Sequence, residues 1–109
     1  MLESLFGNRT AEKVLLFIER YGHGYPSDIA NTFDTRVHGI QRQLKRLENG
    51  GIISSRLYGK VRIYQYNPRY PFLKELRALL DKAIAFLPPE DIKKFYSKRT
   101  RPRKQGKPI

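Results

Sequence analysis

The sequence predicts a single, mostly helical α+β domain in which two helices joined by a tight turn are followed by a β-hairpin. Three observations predict it. Apolar residues recur at helical spacing in several segments, two short runs near the middle are rich in β-branched and aromatic residues, and glycine or proline pairs separate these segments. A chain of 109 residues is long enough for one modest hydrophobic core.

The first two helices lie before residue 34. Apolar side chains recur at helical spacing between Thr10, which suits an N-cap, and Tyr21, and Gly22-His23-Gly24 should end this helix and form a loop. Pro26 suits the first turn of the next, short helix because proline lacks the N–H that would be unpaired there. The apolar residues expected inside are Val14, Phe17, Ile18, Tyr21, Ile29, Ala30 and Phe33.

A third helix is predicted from Arg36 to Asn49, after a turn at Asp34-Thr35. At about 100° per residue, one side of this helix is aliphatic and should point inward. That side consists of Val37, Ile40, Leu44 and Leu47. The opposite side is cationic or hydrogen-bonding and consists of Thr35, His38, Gly39, Arg42, Lys45, Arg46 and Asn49. Gly50-Gly51 should stop the helix.

A hairpin and further helices complete the prediction. Strands are expected at Ile52–Leu57 and Val61–Tyr66, joined through Gly59-Lys60. A fourth helix follows from about Tyr70 to Phe86, with Phe72, Leu76, Leu79, Leu80 and Ala83 on one side. Residues 1–87 would form the main domain, 88–97 a short helical extension that begins at Pro88-Pro89, and 98–109 a basic, disordered tail.

The charge of this chain is unevenly distributed. The formal net charge is +12. Seven cations and only one acid, Glu48, lie between Arg36 and Arg62, six cations and no acid lie in the tail, and the remaining residues are nearly balanced. Such a field favours polyanions, namely nucleic acid or, less often, an anionic membrane surface. The alternatives are an ordinary solvated surface on the third helix, protective edge charges on the hairpin and a solubilising terminus.

The composition argues against catalysis and metal binding. There is no cysteine, which removes disulfides and thiolate sites. His23 and His38 belong to no ligand cluster, and Asp28 and Asp34 fit helix-end and turn positions. We therefore expect no enzyme activity, no cofactor and no metal. Without a signal-like start or an apolar run of about 18–20 residues, a cytoplasmic protein is expected.

The pattern of a basic helix followed by a cationic hairpin predicts contact with double-stranded DNA, with helix 36–49 in the major groove and residues 57–62 on flanking DNA. The candidate DNA-binding residues are Thr35, Arg36, His38, Gly39, Gln41, Arg42, Lys45, Arg46, Arg56, Tyr58, Lys60 and Arg62. Gly39 has two explanations: close approach of the helix backbone to DNA, or a close helix–helix contact.

Residues 10–66 resemble a bacterial or archaeal winged helix-turn-helix domain of the ArsR-like and MarR-like regulators. The segment Ile40 to Ile53 matches the family's recognition-helix ending L-x-x-L-x-x-x-G, which leads into the first wing strand. Leu5-Phe6-Gly7, and Asn67-Pro68 followed by a leucine-rich helix, are similar to small stand-alone or nucleotidyltransferase-associated members. Two features depart from the family: Asp34 stands where glycine is frequent in the turn, and the metal-binding cysteine pair is absent.

The resemblance implies a DNA-binding transcriptional regulator with a three-helix core, a β-hairpin wing and an additional C-terminal helix. Apolar residues spread around much of helix 70–87, which favours a homodimer through this helix over complete burial within one subunit. The alternatives are an adaptor for a protein partner such as a nucleotidyltransferase, and a nucleic-acid-binding protein with little sequence preference.

Overall fold

The computed structural model describes residues 1–97, which form six helices and a three-stranded sheet. The predicted basic tail, 98–109, lies outside the described residues. In chain order the elements are α1 (Glu3–Phe6), α2 (Arg9–Tyr21), β1 (His23–Gly24), α3 (Pro26–Thr32), α4 (Val37–Asn49), β2 (Ile53–Tyr58), β3 (Val61–Tyr66), α5 (Leu73–Ala85) and α6 (Pro89–Phe95).

Helix α2 is the centre of the hydrophobic core. It begins one residue earlier than predicted, and its N-cap is Asn8 rather than Thr10, because the Asn8 side chain accepts a hydrogen bond of 2.7 Å from the Ala11 N–H. Apolar residues on several sides of α2 are almost completely buried, because α4, α5 and the sheet all pack around this helix. Each fully buried aliphatic side chain stabilises the fold by about 1.5–3 kcal/mol.

The sheet has the order β1-β3-β2 and is antiparallel throughout. The sequence pattern predicts β2 and β3 but not β1. We expected His23 and Gly24 to lie in a loop, but they pair with Gln65 and Tyr64 of β3. A two-residue strand has no periodicity of its own, so only its partner strand reveals it. Glycine is required at position 24, where an added Cβ would lie 2.7 Å from Cε1 of Phe17.

Helix α5 contributes few side chains to the core. It begins at Leu73 rather than Tyr70, and only Leu80 and Ala83 are buried. Phe72, which we expected within the helix on the same side as Leu80 and Ala83, is instead the N-cap residue and is 63% exposed. Arg77 links α5 to the body, because its Nε donates to Glu19 Oε1 at 3.2 Å and the same oxygen accepts from the Tyr66 hydroxyl at 2.7 Å.

Helix α6 packs against α2 and the end of α3. The Tyr21 hydroxyl donates to the carbonyl of Phe95 at 2.7 Å, and Nε of Arg20 donates to the carbonyl of Tyr96 at 2.6 Å. The Phe33 ring lies 5.2 Å from that of Phe95 and 5.9 Å from that of Tyr96, measured between centroids. These contacts make residues 89–96 part of the body of the domain.

Candidate nucleic-acid interface

Helix α4 separates its apolar and polar side chains onto opposite sides. Ile40 and Leu44 are fully buried and Leu47 is 5% exposed, so these three residues fix the rotation of the helix about its axis. Arg42 follows Ile40 by two residues, which is about 200° of helix rotation. The outward side carries a group that we call the reading face: His38, Gln41, Arg42 and Lys45, all exposed.

Val37 is an exception to the predicted apolar side. We expected it to point inward, but it is 39% exposed. Val37 is the first residue of α4 and directly follows the loop that connects α3 to α4. The helical angle alone therefore gives its side but not whether a neighbouring element covers it there.

Arg46 is exposed, as predicted, but its guanidinium is occupied within the protein. Nη2 donates to the carbonyl oxygen of Phe6 at 3.0 Å, and Nη1 donates to Gln43 Oε1 at 2.9 Å. Phe6 is the last residue of α1, a helix that the sequence pattern did not predict. The hydrogen bonds direct Arg46 toward α1 and away from the centre of the reading face.

Gly39 has open space around it. Outside its own helix turn, a Cβ added at this position would meet no atom of residues 1–97 within 4 Å. A close helix–helix contact within the described part of the chain therefore does not explain this glycine.

The turn between α3 and α4 depends on Asp34. Its φ of 52° is in the left-handed region, which is costly for most residues but tolerated by Asp and Asn. The Thr35 N–H closes the turn by donating to the carbonyl of Ala30 at 3.0 Å. The turn leaves Thr35 and Arg36 exposed just before the first turn of α4.

The hairpin of β2 and β3 forms the wing, and its two faces differ. Directly paired residues share a face, so Ser55 with Tyr64, and Leu57 with Arg62, form what we call the inner face of the wing. This face continues from the core, because Ile53 and Tyr64 are buried. Arg56 and Tyr58 lie on the other face and are exposed, and Lys60 is exposed at the tip.

A chain of hydrogen bonds connects the wing to the end of α4. The Ser55 hydroxyl donates to Glu48 Oε2 at 2.6 Å, and Arg62 Nη1 donates to Ser55 Oγ at 3.0 Å. Glu48 is the only acid between residues 36 and 62. Sequence reasoning missed the roles of Glu48 and Ser55, although the isolated acid within a cationic segment was a usable signal.

Two further features, a metal-ligand cluster and a membrane-spanning helix, are absent from the described residues. Among residues 1–97 no group of three or more His, Asp or Glu side chains could hold a metal ion. In the same range no helix is both long enough and apolar enough to cross a membrane. The predicted DNA-binding candidates lie on α4, in the turn before it and on the wing, which are consecutive segments of the chain.

Comparison with known proteins supports the fold. No family model matches the chain, and no curated protein matches it. The crystal structure of the YusO protein from Bacillus subtilis has a TM-score of 0.59 and 22% identity, over 85% of this chain and 74% of that one. The apo form of a doubly substituted ZitR from Lactococcus lactis has a TM-score of 0.54 and 14% identity, over 84% and 78% of the two chains.

These similarities define the class of fold. The chain has the winged helix-turn-helix architecture that it shares with YusO and ZitR, with α3 and α4 as the helix-turn-helix and β2-β3 as the wing. At 14–22% identity the likeness establishes the fold alone.

Proposed function

We propose that this protein is a DNA-binding transcriptional regulator that places α4 in the major groove and the wing on flanking DNA. One observation carries the proposal: burial of Ile40, Leu44 and Leu47 leaves Arg42 and its neighbours exposed together on one side of a 13-residue helix. An α-helix fits the major groove of B-DNA, where each base pair presents a distinct pattern of donors and acceptors.

Individual side chains suit different contacts. Arg42 can form two hydrogen bonds to a guanine, and His38 can contact a base edge. Lys45 lies one turn further along α4 and suits a phosphate, as do Thr35 and Arg36 at the start of the helix. The hydrogen bonds of Arg46 within the protein favour a role in fixing α4 against α1 over a direct DNA contact.

On the wing, Arg56, Tyr58, Lys60 and Arg62 would contact DNA beside the major-groove site. Lys60 at the tip and Arg56 on the outer face suit phosphates. Arg62 Nη1 donates a hydrogen bond to Ser55 Oγ at 3.0 Å, which orients its guanidinium on the wing in the absence of DNA. Gly39, whose Cβ position no other element of residues 1–97 approaches, would allow the backbone of α4 to come close to a DNA strand.

We also propose that two copies associate through α1 and α5. Leu5 and Phe72, 62% and 63% exposed, border an apolar groove of about 420 Å³ between these helices. Phe86, 71% exposed, extends the apolar surface to the end of α5. A two-fold dimer would place two α4 helices about one DNA turn, roughly 34 Å, apart.

Selection of bound duplexes from a random pool tests the function directly. We expect an enriched sequence with two related half-sites, bound more tightly than random duplexes and more weakly as salt rises. Equal affinity for selected and random duplexes would instead support a nucleic-acid-binding protein without sequence preference. No binding at low salt would refute the proposal, and retention of a protein partner by the same sample would then favour an adaptor.

Sedimentation of Phe72→Ser and Phe86→Ser variants tests the dimer. We expect the wild-type protein to sediment as a dimer and each variant to shift toward the monomer with little change in Tm, because both side chains are largely exposed. Val61→Ser is the matched control, since it also removes an exposed apolar side chain but lies on the wing. A wild-type monomer at micromolar concentration would refute the association.

A further inference from the structure

Leu57 is an exposed leucine on the inner face of the wing. It continues the side of β2 to which Ile53 belongs, yet Ile53 is 1% exposed and Leu57 is 63% exposed. The strand therefore carries its apolar side beyond the body of the domain. No packing requirement within residues 1–97 accounts for a large aliphatic side chain at this place.

The surroundings of Leu57 are held in position. Arg62 is its direct partner on β3, and Nη1 of Arg62 donates to Ser55 Oγ. Ser55 in turn donates to Glu48 at the end of α4, at 2.6 Å. Hydrogen bonds thus link the inner face of the wing, on which Leu57 lies, to the helix that carries the reading face.

The charge around Leu57 indicates its partner. Arg62 is its partner on the inner face, Lys60 lies at the tip, and Arg56 precedes it on the other face of the wing. Glu48 already accepts a hydrogen bond from Ser55, and no acidic residue occurs between Glu48 and Glu75. A protein partner would need an acidic rim around an apolar pocket. The minor groove of DNA supplies both properties at once, because its phosphates are anionic and its walls are the apolar C–H surfaces of the sugars.

We propose that Leu57 enters the minor groove next to the site of α4 and wedges a base step open, which bends the duplex. This inference rests on the proposed function. Apolar side chains inserted from the minor groove partly unstack a base step and kink DNA by about 20–90° toward the major groove. Pyrimidine–purine steps deform most easily, so the selected sequences should contain such a step at the wing position.

The experiment measures bending by resonance energy transfer between dyes at the two ends of a selected duplex, for the wild-type protein and for Leu57→Ser. We expect the wild-type complex to be bent and the Leu57→Ser complex to lose most of the bend and to bind about tenfold more weakly. Tm should be unchanged, because the side chain is mainly in solvent.

Val61→Ser is the matched control. Val61 is an exposed aliphatic residue at the same end of the hairpin. It pairs with Tyr58, and both lie on the face opposite to that of Leu57. We expect this variant to bend DNA like the wild-type protein and to lose less affinity than Leu57→Ser, because Val61 lies beside Tyr58 and not on the inner face. The inference is overturned if Leu57→Ser binds and bends the duplex normally, or if Val61→Ser has the same effect. A wild-type protein that binds no DNA would refute the proposed function itself, which is a different result.

Discussion

Arg42 and Arg46 are both exposed arginines on α4, but replacing them by alanine should have different consequences. Arg42→Ala should lower the affinity for DNA, whereas Arg46→Ala should lower the stability of the fold. Among the described residues Arg42 has no hydrogen-bond partner, whereas Arg46 donates to Phe6 and Gln43. We expect Arg42→Ala to weaken binding of the selected duplex by about 1–3 kcal/mol, or roughly 5- to 150-fold, because a bidentate contact to a base is lost. Its Tm should stay close to that of the wild-type protein.

Arg46→Ala should mainly lower stability. The hydrogen bonds of 3.0 Å and 2.9 Å would each contribute about 0.5–1.5 kcal/mol. Both are exposed to solvent, so we place the total loss at about 1 kcal/mol. For a domain of this size that corresponds to a fall in Tm of about 4–8 °C. Affinity should fall less than in Arg42→Ala, because the lost contacts lie within the protein.

Circular dichroism gives the two Tm values, and fluorescence anisotropy with the selected duplex gives the two affinities at several salt concentrations. Lys45→Ala is the control for an electrostatic contact, and it should weaken all sequences equally and reduce the salt slope by about 1. The reasoning would be refuted if Arg46→Ala kept its Tm and lost as much affinity as Arg42→Ala.

Three further substitutions test the fold by urea and thermal unfolding. Gly24→Ala should lower the free energy of unfolding by about 1–3 kcal/mol, because its methyl group would lie 2.7 Å from the Phe17 ring. Tyr66→Phe should cost about 1–3 kcal/mol at neutral pH by removing the hydrogen bond to Glu19. Burial and Glu19 raise the pKa of Tyr66 above its usual 10.0, so wild-type stability should fall as pH rises above about 10, and less steeply in Tyr66→Phe. Asp34→Val should cost about 1–2 kcal/mol because φ is 52°, whereas Asp34→Gly should stay within about 0.5 kcal/mol of wild type. Unchanged stability in Gly24→Ala, a parallel alkaline decline in Tyr66→Phe, or equal stability of the two Asp34 variants would contradict the respective argument.

The sequence alone determined the elements whose signals are local. Helical periodicity gave α2 and α4 to within one residue, because several turns of each helix bury the same side. Gly59-Lys60 between two β-branched runs gave the hairpin. The same periodicity predicted that His38 and Arg42 would be exposed while Ile40 and Leu44 were buried, since a regular helix fixes these angles once its apolar side is known.

Only the tertiary structure decided which neighbours meet these elements. Arg46 lies on the predicted side of α4, but its bond to Phe6 joins residues 40 positions apart, and no local pattern reports such a contact. The strand β1 exists only because Gln65 and Tyr64 lie beside it. Val37 and Leu57 are exposed for the converse reason, since an apolar side of a helix or strand is buried only as far as another element covers it.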